Sequence, residues 1–125
     1  MNIEEYRNYC LSKKGVTEEF PFDEETLVFK VMGKMFALTS LKRWEEGDHS
    51  VNLKCDPDRA LKLREEYESV NPGFHMSKKH WNTIHINDNE LSEQFIRELI
   101  DHSYDLVVKG LTKKLKEELK KLSRL

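Results

Sequence analysis

Lys78-Lys79-His80-Trp81-Asn82 is the stretch of this 125-residue chain whose side chains could most readily do work at a surface. Three side chains able to carry positive charge lead into an indole at an expected hairpin tip. Lysines in such a place hold phosphate, while a tryptophan stacks on a base or wedges between base steps. The alternative is a capped turn whose tryptophan packs under the last helix, since tryptophan is highly buried on average. Spacing alone leaves both open. Lys42-Arg43-Trp44 repeats the composition in a second loop, but Glu45 and Glu46 follow at once and weaken it as a polyanion contact.

Other chemistry is harder to place. Of the histidines, His49, His75, His80, His85 and His102, only His75 and His85 could be neighbours on paired strands. No carboxylate or cysteine stands at ligand-like spacing beside them, and two ligands do not close a zinc shell, so no metal is expected. Asp23-Glu24-Glu25 lacks the spaced oxygen ligands of a cation loop and reads as a solvated turn. Cys10 and Cys55 lie 45 positions apart among apolar neighbours, which makes them small core residues rather than a redox pair. The chain contains no GxxxxGK[ST], no GxGxxG after a strand and no GxSxG elbow. The expectation is a protein that is not an enzyme and has no cofactor.

The elements that must position these residues follow from periodicity. Asn2 with Glu5 forms a capping-box-like start, and Ile3, Tyr6 and Cys10 mark one helical face up to Gly15. Val16 to Glu25 reads as a loop around Pro21. Leu27–Met32 and Met35–Ser40 flank Gly33-Lys34, a two-residue hairpin signature. In that register Val31 faces Phe36 and Phe29 faces Leu38, leaving Val28, Lys30, Ala37 and Thr39 on the other side. A polar loop 42–49 precedes a strand at 50–55, with Val51, Leu53 and Cys55 inward and Asn52 and Lys54 outward. Asp56-Pro57 starts a helix that continues through Val70. Asn71-Pro72-Gly73 turns the chain into short strands at 74–76 and 81–86, and a long helix covers 90–109. After Gly110, Thr112 caps a final helix with Leu115, Leu119 and Leu122 on one side. The fold class expected is α+β, a five-stranded antiparallel sheet with helices mainly on one face, in the order α-β-β-β-α-β-β-α-α.

Composition narrows the function classes. A charged fraction of 35% against 38% hydrophobic describes a folded, highly soluble domain. No apolar run approaches the length of a membrane helix and no signal-peptide pattern opens the chain, so a cytoplasmic protein is expected. The net charge of -2 gives no global pull on nucleic acid, so any polyanion surface must be local. Seven basic residues (Lys109, Lys113, Lys114, Lys116, Lys120, Lys121 and Arg124) stand against two glutamates in residues 109–125.

Several segments in order resemble the MmcQ/YjbR family. They are Ile3–Leu11 with Gly15-Val16, Glu19–Asp23, the strand pair Phe29–Ala37, Leu53–Pro57, Pro72-Gly73-Phe74, Lys79–Asn82 and Ser103–Val107. The resemblance covers residues 1 to about 114 as one domain, with 115–125 as a C-terminal helical extension. It implies a CyaY/frataxin-like α+β fold and a DNA-binding role of the double-wing kind, in which an open sheet face meets duplex DNA. Frataxin-like iron binding does not carry over, because the first helix offers little acid beyond Glu4 and Glu5. On this reading the contact surface is Lys30, Thr39, Asn52, Lys54, Lys78, Lys79, Trp81, Asn82, Thr83 and His85. The lysines would neutralise phosphates, Asn52 and Asn82 would donate to phosphate or base edges, and Trp81 would stack or wedge. The alternative is a protein- or peptide-interaction module, similar to secretion chaperones, using the same face.

Overall fold

The computed structural model describes residues 1–122. In chain order they form α1 (Ile3–Leu11), β1 (Val16–Glu19), β2 (Thr26–Val31), β3 (Lys34–Ser40), α2 (Leu41–Glu45), β4 (Ser50–Lys54), α3 (Pro57–Glu66), β5 (Val70–Pro72), β6 (Trp81–His85), α4 (Glu93–Lys109) and α5 (Lys113–Lys121). Among the described residues the strands make one sheet of six, ordered β1-β2-β3-β4-β6-β5, with neighbours antiparallel. The α+β class is as expected; the strand count and element order are not. Val16–Glu19, expected as loop, pairs with β2 as an edge strand through Val16↔Val31 and Glu19↔Val28. The segment 42–49 contains the short α2. The helix at Pro57 ends at Glu66, and the strand expected at 74–76 is instead β5, which pairs Val70 with Ile84.

The β2–β3 hairpin differs in register. The turn is Met32-Gly33, with φ of 49° and 82°, so both central residues are left-handed and Val31 pairs Lys34. Positive φ at both positions is the type I′ geometry whose twist suits a hairpin, and glycine accepts it without strain. Phe36 is then an extra residue, because Lys30 pairs Met35 while Phe29 pairs Ala37. This bulge turns both Phe36 and Ala37 toward the helices. Beyond it Leu38, expected beside Phe29, stands opposite Val28 on the other face, and Thr39 pairs Leu27 on the helix side.

Ser103 in α4 accommodates the bulge. Its hydroxyl donates to the Phe36 carbonyl at 2.5 Å and accepts the Lys54 amide at 2.9 Å. One buried side chain thus satisfies two backbone groups where the β3–β4 ladder parts. Around it, Tyr6 and Cys10 of α1 and Ile96, Leu99, Ile100 and Val107 of α4 close over Leu27, Phe29, Val31, Val51, Leu53 and Ile84. Each such side chain, fully buried, contributes about 1.5–3 kcal/mol.

The helix starts are capped by Asn2, Asp56, Ser92 and Thr112, each accepting a backbone amide within the first turn. Ser92 caps α4, which therefore opens at Glu93 rather than at the expected residue 90. Helix α5 docks: Leu119 is buried, and a side chain at Gly15 would meet its Cδ1 at 2.5 Å. Lys14 Nζ donates to the Lys120 carbonyl, tying the helix's C-terminal end to the segment before β1. Within the expected extension 115–125, residues 123–125, including Arg124, lie outside the described residues.

Candidate nucleic-acid interface

Alternation along the strands sets Val28, Lys30, Met35, Leu38, Ser50, Asn52, Lys54, Trp81, Thr83 and His85 on the face away from the helices. Lys30 and Lys54 stand there as read from the sequence. The face is only partly open, because the segment 73–80 folds back across it. A closed ring of hydrogen bonds holds that segment down. The Phe74 amide donates to Thr83 Oγ1 (2.9 Å), the Thr83 hydroxyl to Asn52 Oδ1 (2.6 Å), and Asn52 Nδ2 to the Phe74 carbonyl (3.2 Å). Arg64 of α3 clamps the other end, donating to Asn82 Oδ1 (2.7 Å), to the Trp81 carbonyl (3.2 Å) and to the Lys78 carbonyl.

This folding-over divides the residues expected to act together. Trp81 is only 8% exposed and packs with Val28 and Leu38, flanked by Met35 and Met76. It is buried, but against the sheet's outer face rather than under a helix, and it is not presented to a base. Asn82 lies on the helix side, 1% exposed, its carboxamide oxygen taken by Arg64 and its Nδ2 without a partner. Asn52 and Thr83 hold their own loop. Thr39 is buried, donating to the Ser50 carbonyl and accepting from the Trp44 indole. Lys30 is paired with Glu19 at 3.2 Å, and His85 with Asp48 at 3.2 Å. Lys54, Lys78 and Lys79 remain, with Lys78 Nζ also donating to the Gly73 carbonyl at 3.0 Å.

Those three lysines stand at one end of the sheet. The pairings Val31↔Lys34 and Lys54↔Trp81 put the β2–β3 turn, the end of β4 and the start of β6 at the same end. Lys13 and Lys14 leave α1 there, and α5 packs there through Gly15 with its exposed lysines 113, 114, 120 and 121. Among the described residues these α5 lysines enter no ion pair between side chains. Lysines 109–121 are the signal that a hairpin-centred reading leaves aside; their charge was legible, their place was not.

The opposite end, marked by Thr26↔Ser40 and Ser50↔His85, gathers Asp23, Glu24, Glu25, Glu45, Glu46, Asp48, Asp88 and Glu90. Four of these carboxylates, Asp23, Asp48, Asp88 and Glu90, are engaged by the chain itself. Backbone amides of Glu25 and Thr26 keep Asp23 below the usual carboxylate range. Ser69 does the same for Asp88 and Glu90, through its hydroxyl and its amide. Toward this end, under the folded-over segment, lies a cleft of about 430 Å³ floored by Leu38 and walled by Phe22, Phe74 and Met76, with Arg43 and His75 among its lining.

Among the described residues the two cysteines are buried thiols. Burial pushes the Cys10 thiol up to about 12 and the Cys55 thiol to about 11, away from reactive thiolates. Among the described residues no three His, Cys, Asp or Glu side chains are grouped to hold a metal ion. No described helix is long and apolar enough to cross a membrane.

The YjbR family model matches residues 11–106. The chain belongs to the YjbR family. It is 33% identical to the uncharacterised protein YjbR of Escherichia coli K12 over 122 residues, spanning 98% of this chain and 97% of that one. It is 44% identical over 95 residues to the uncharacterised YbdF of E. coli O157:H7, covering 76% of this chain and 75% of the relative. Among solved structures, Deinococcus radiodurans DR2400, with a DUF419 domain, superposes at a TM-score of 0.84 with 38% identity, over 95% of this chain and 88% of that one. A Pseudomonas syringae protein shares the fold at TM-score 0.70 and 24% identity, over 85% of this chain and 98% of the other. Within the YjbR match lie β2, β3, β4 and β6, the folded-over segment and Ser103, whereas the α5 lysines fall outside it.

Proposed function

We propose that this YjbR-family protein is a cytoplasmic, non-enzymatic duplex-DNA-binding protein whose contact surface is the basic end of the molecule rather than the sheet face. The observation that carries the reading is the gathering of Lys34, Lys54, Lys78, Lys79 and the α5 lysines at one end, where Glu117 and Glu118 of α5 and the Lys13-paired Asp101 leave the balance basic, while a cluster of eight carboxylates marks the other end. Strands stand about 4.8 Å apart, so the row from the β1 edge to β5 spans roughly 24 Å. That length matches about seven base pairs at about 3.4 Å each.

Lysines in such a row act as point charges on phosphates and release condensed counterions, while the acidic end turns away from the duplex and orients the approach. With base-reading side chains buried or engaged, the binding expected is weakly sequence-dependent. About six phosphate contacts imply a log-log salt slope of about -5.4, from about -0.9 per phosphate. Fluorescence anisotropy with a labelled duplex of roughly 16 base pairs, about twice that span, measures it directly. Salt-dependent binding of this steepness supports the reading; no binding at low ionic strength ends it.

A further inference from the structure

The cleft at the far end from the lysines is a separate site, and its lining says what it takes. Leu38 floors it, and Phe22, Phe74 and Met76 wall it, Phe22 and Phe74 remaining 63% and 45% exposed. Two aromatic rings left to water in the lining of one cleft are surface that a ligand would cover. Phe74 is fixed from below by the Asn52–Thr83 ring, so this wall is preformed. The volume of about 430 Å³ suits a small molecule.

The lining's charge is one-sided. Arg43 carries it, and no aspartate or glutamate stands in the lining. The Arg43 guanidinium lies 4.2 Å from the Phe74 ring centre and is only distantly paired, 3.9 Å from Asp48. A guanidinium held over a ring face can still offer N–H donors to a planar anion. His75 holds φ at 58°, a left-handed conformation that costs a non-glycine residue energy and recurs at ligand clamps. The carboxylates of Asp48 and Asp23 lie just outside the lining and would repel a dianion such as a phosphate monoester more than a monoanion. An extended peptide finds little to hold, because the floor belongs to β2, β3 and β4, whose backbone edges are already paired on both sides.

We propose that the cleft binds a small amphipathic carboxylate, its apolar body against Phe22, Phe74 and Met76 over Leu38, its carboxylate on Arg43. The proposal stands apart from DNA binding and uses none of the same side chains. The test uses the whole chain with anilinonaphthalenesulfonate as the fluorescent amphipathic anion, and octanoate, octanol and octylamine as competitors. Saturable one-to-one binding is expected, displaced by octanoate far better than by octanol or octylamine. Amide chemical shifts should move at Leu38, Asn52 and Met76. Arg43→Gln should weaken octanoate by about tenfold and leave octanol unchanged, and Arg43→Lys should recover part of the loss. Thermal unfolding of both variants shows whether they remain folded. Equal competition by octanol and octanoate, or shifts confined to other surfaces, would overturn the proposal. So would binding of the blocked tetrapeptide Ac-Glu-Phe-Leu-Glu-NH2 where octanoate fails, which would assign the cleft to a protein segment.

Discussion

Trp81 carries its weight through packing. Its ring fills the space between Val28, Leu38, Met35 and Met76 on the outer face of the sheet. Trp81→Ala should therefore cost about 3–5 kcal/mol in urea unfolding, and any DNA bound by the residual folded protein should show an unchanged salt slope. A stable variant with weakened DNA binding would instead return Trp81 to the interface. Burial of the tryptophan was one of two readings the sequence left open; the face it packs on was not legible, because that depends on a segment folding back from Gly73 to His80, a long-range event that alternation does not encode. The outward placement of Asn52 and Lys54 was legible, since period-two alternation decides it within the strand. His102 is a second residue with a measurable signature. Its Nε2 accepts the Asp56 amide at 3.1 Å, which requires the neutral ring. Burial first, and Arg59 second, hold its pKa below the ordinary 6.5. The unfolded chain thus binds this proton more readily, so the contribution is complete above pH 6.5 and lost as pH falls below it. The urea midpoint should drop between about pH 7.5 and 5.5, and His102→Gln should remove part of that drop. An unchanged pH profile in the variant would show that the ring is not held neutral.

At the scale of elements, Ser103 joins α4 to the parted ladder between β3 and β4. Ser103→Ala would leave the buried Phe36 carbonyl and the part-buried Lys54 amide without this partner, at about 1–3 kcal/mol for the carbonyl and less for the amide. Chemical denaturation of Ser103→Ala beside Ser103→Thr would check this; a loss under about 1 kcal/mol for Ser103→Ala would mean the bulge is satisfied otherwise. The hairpin itself was legible from two apolar runs around Gly33, but its register was not. Reading Gly33-Lys34 as the turn assumes glycine takes the first central position; here Met32 takes it, in a left-handed conformation unusual for its type. That shift, with the bulge at Phe36, exchanges the faces of Leu38 and Ala37. β1 escaped notice because its residues, Val16-Thr17-Glu18-Glu19, are polar beyond the first, and its pairing with β2 supplies what local propensity lacks. The caps at Asn2, Asp56 and Thr112 were legible because a cap is settled within one turn of its own residue.

Across the whole molecule, the charge pattern is ordered by the sheet rather than by the sequence. Lysines at 34, 54, 78, 79 and 113–121 are scattered along the chain and meet only because antiparallel pairing returns each segment to the same end. This is why a net charge of -2 misleads about local attraction. If one duplex lies along the row, its two ends are separately testable. Lys78→Gln with Lys79→Gln should weaken binding to all sequences and flatten the log-log salt slope by about 1.8, from about 0.9 per lost contact. Lys113→Gln with Lys114→Gln should do the same from the α5 side, and the four changes together should flatten it by about 3.6. All four side chains are exposed, and Lys78 also donates to the Gly73 carbonyl, so stability should fall by about 1 kcal/mol at most. Glu24→Gln with Glu25→Gln, at the acidic end, should leave the slope unaltered, because no phosphate contact is gained or lost there. Slopes that respond to one pair only would confine the contact to one corner, and slopes that respond to neither would remove the basic end from DNA binding altogether.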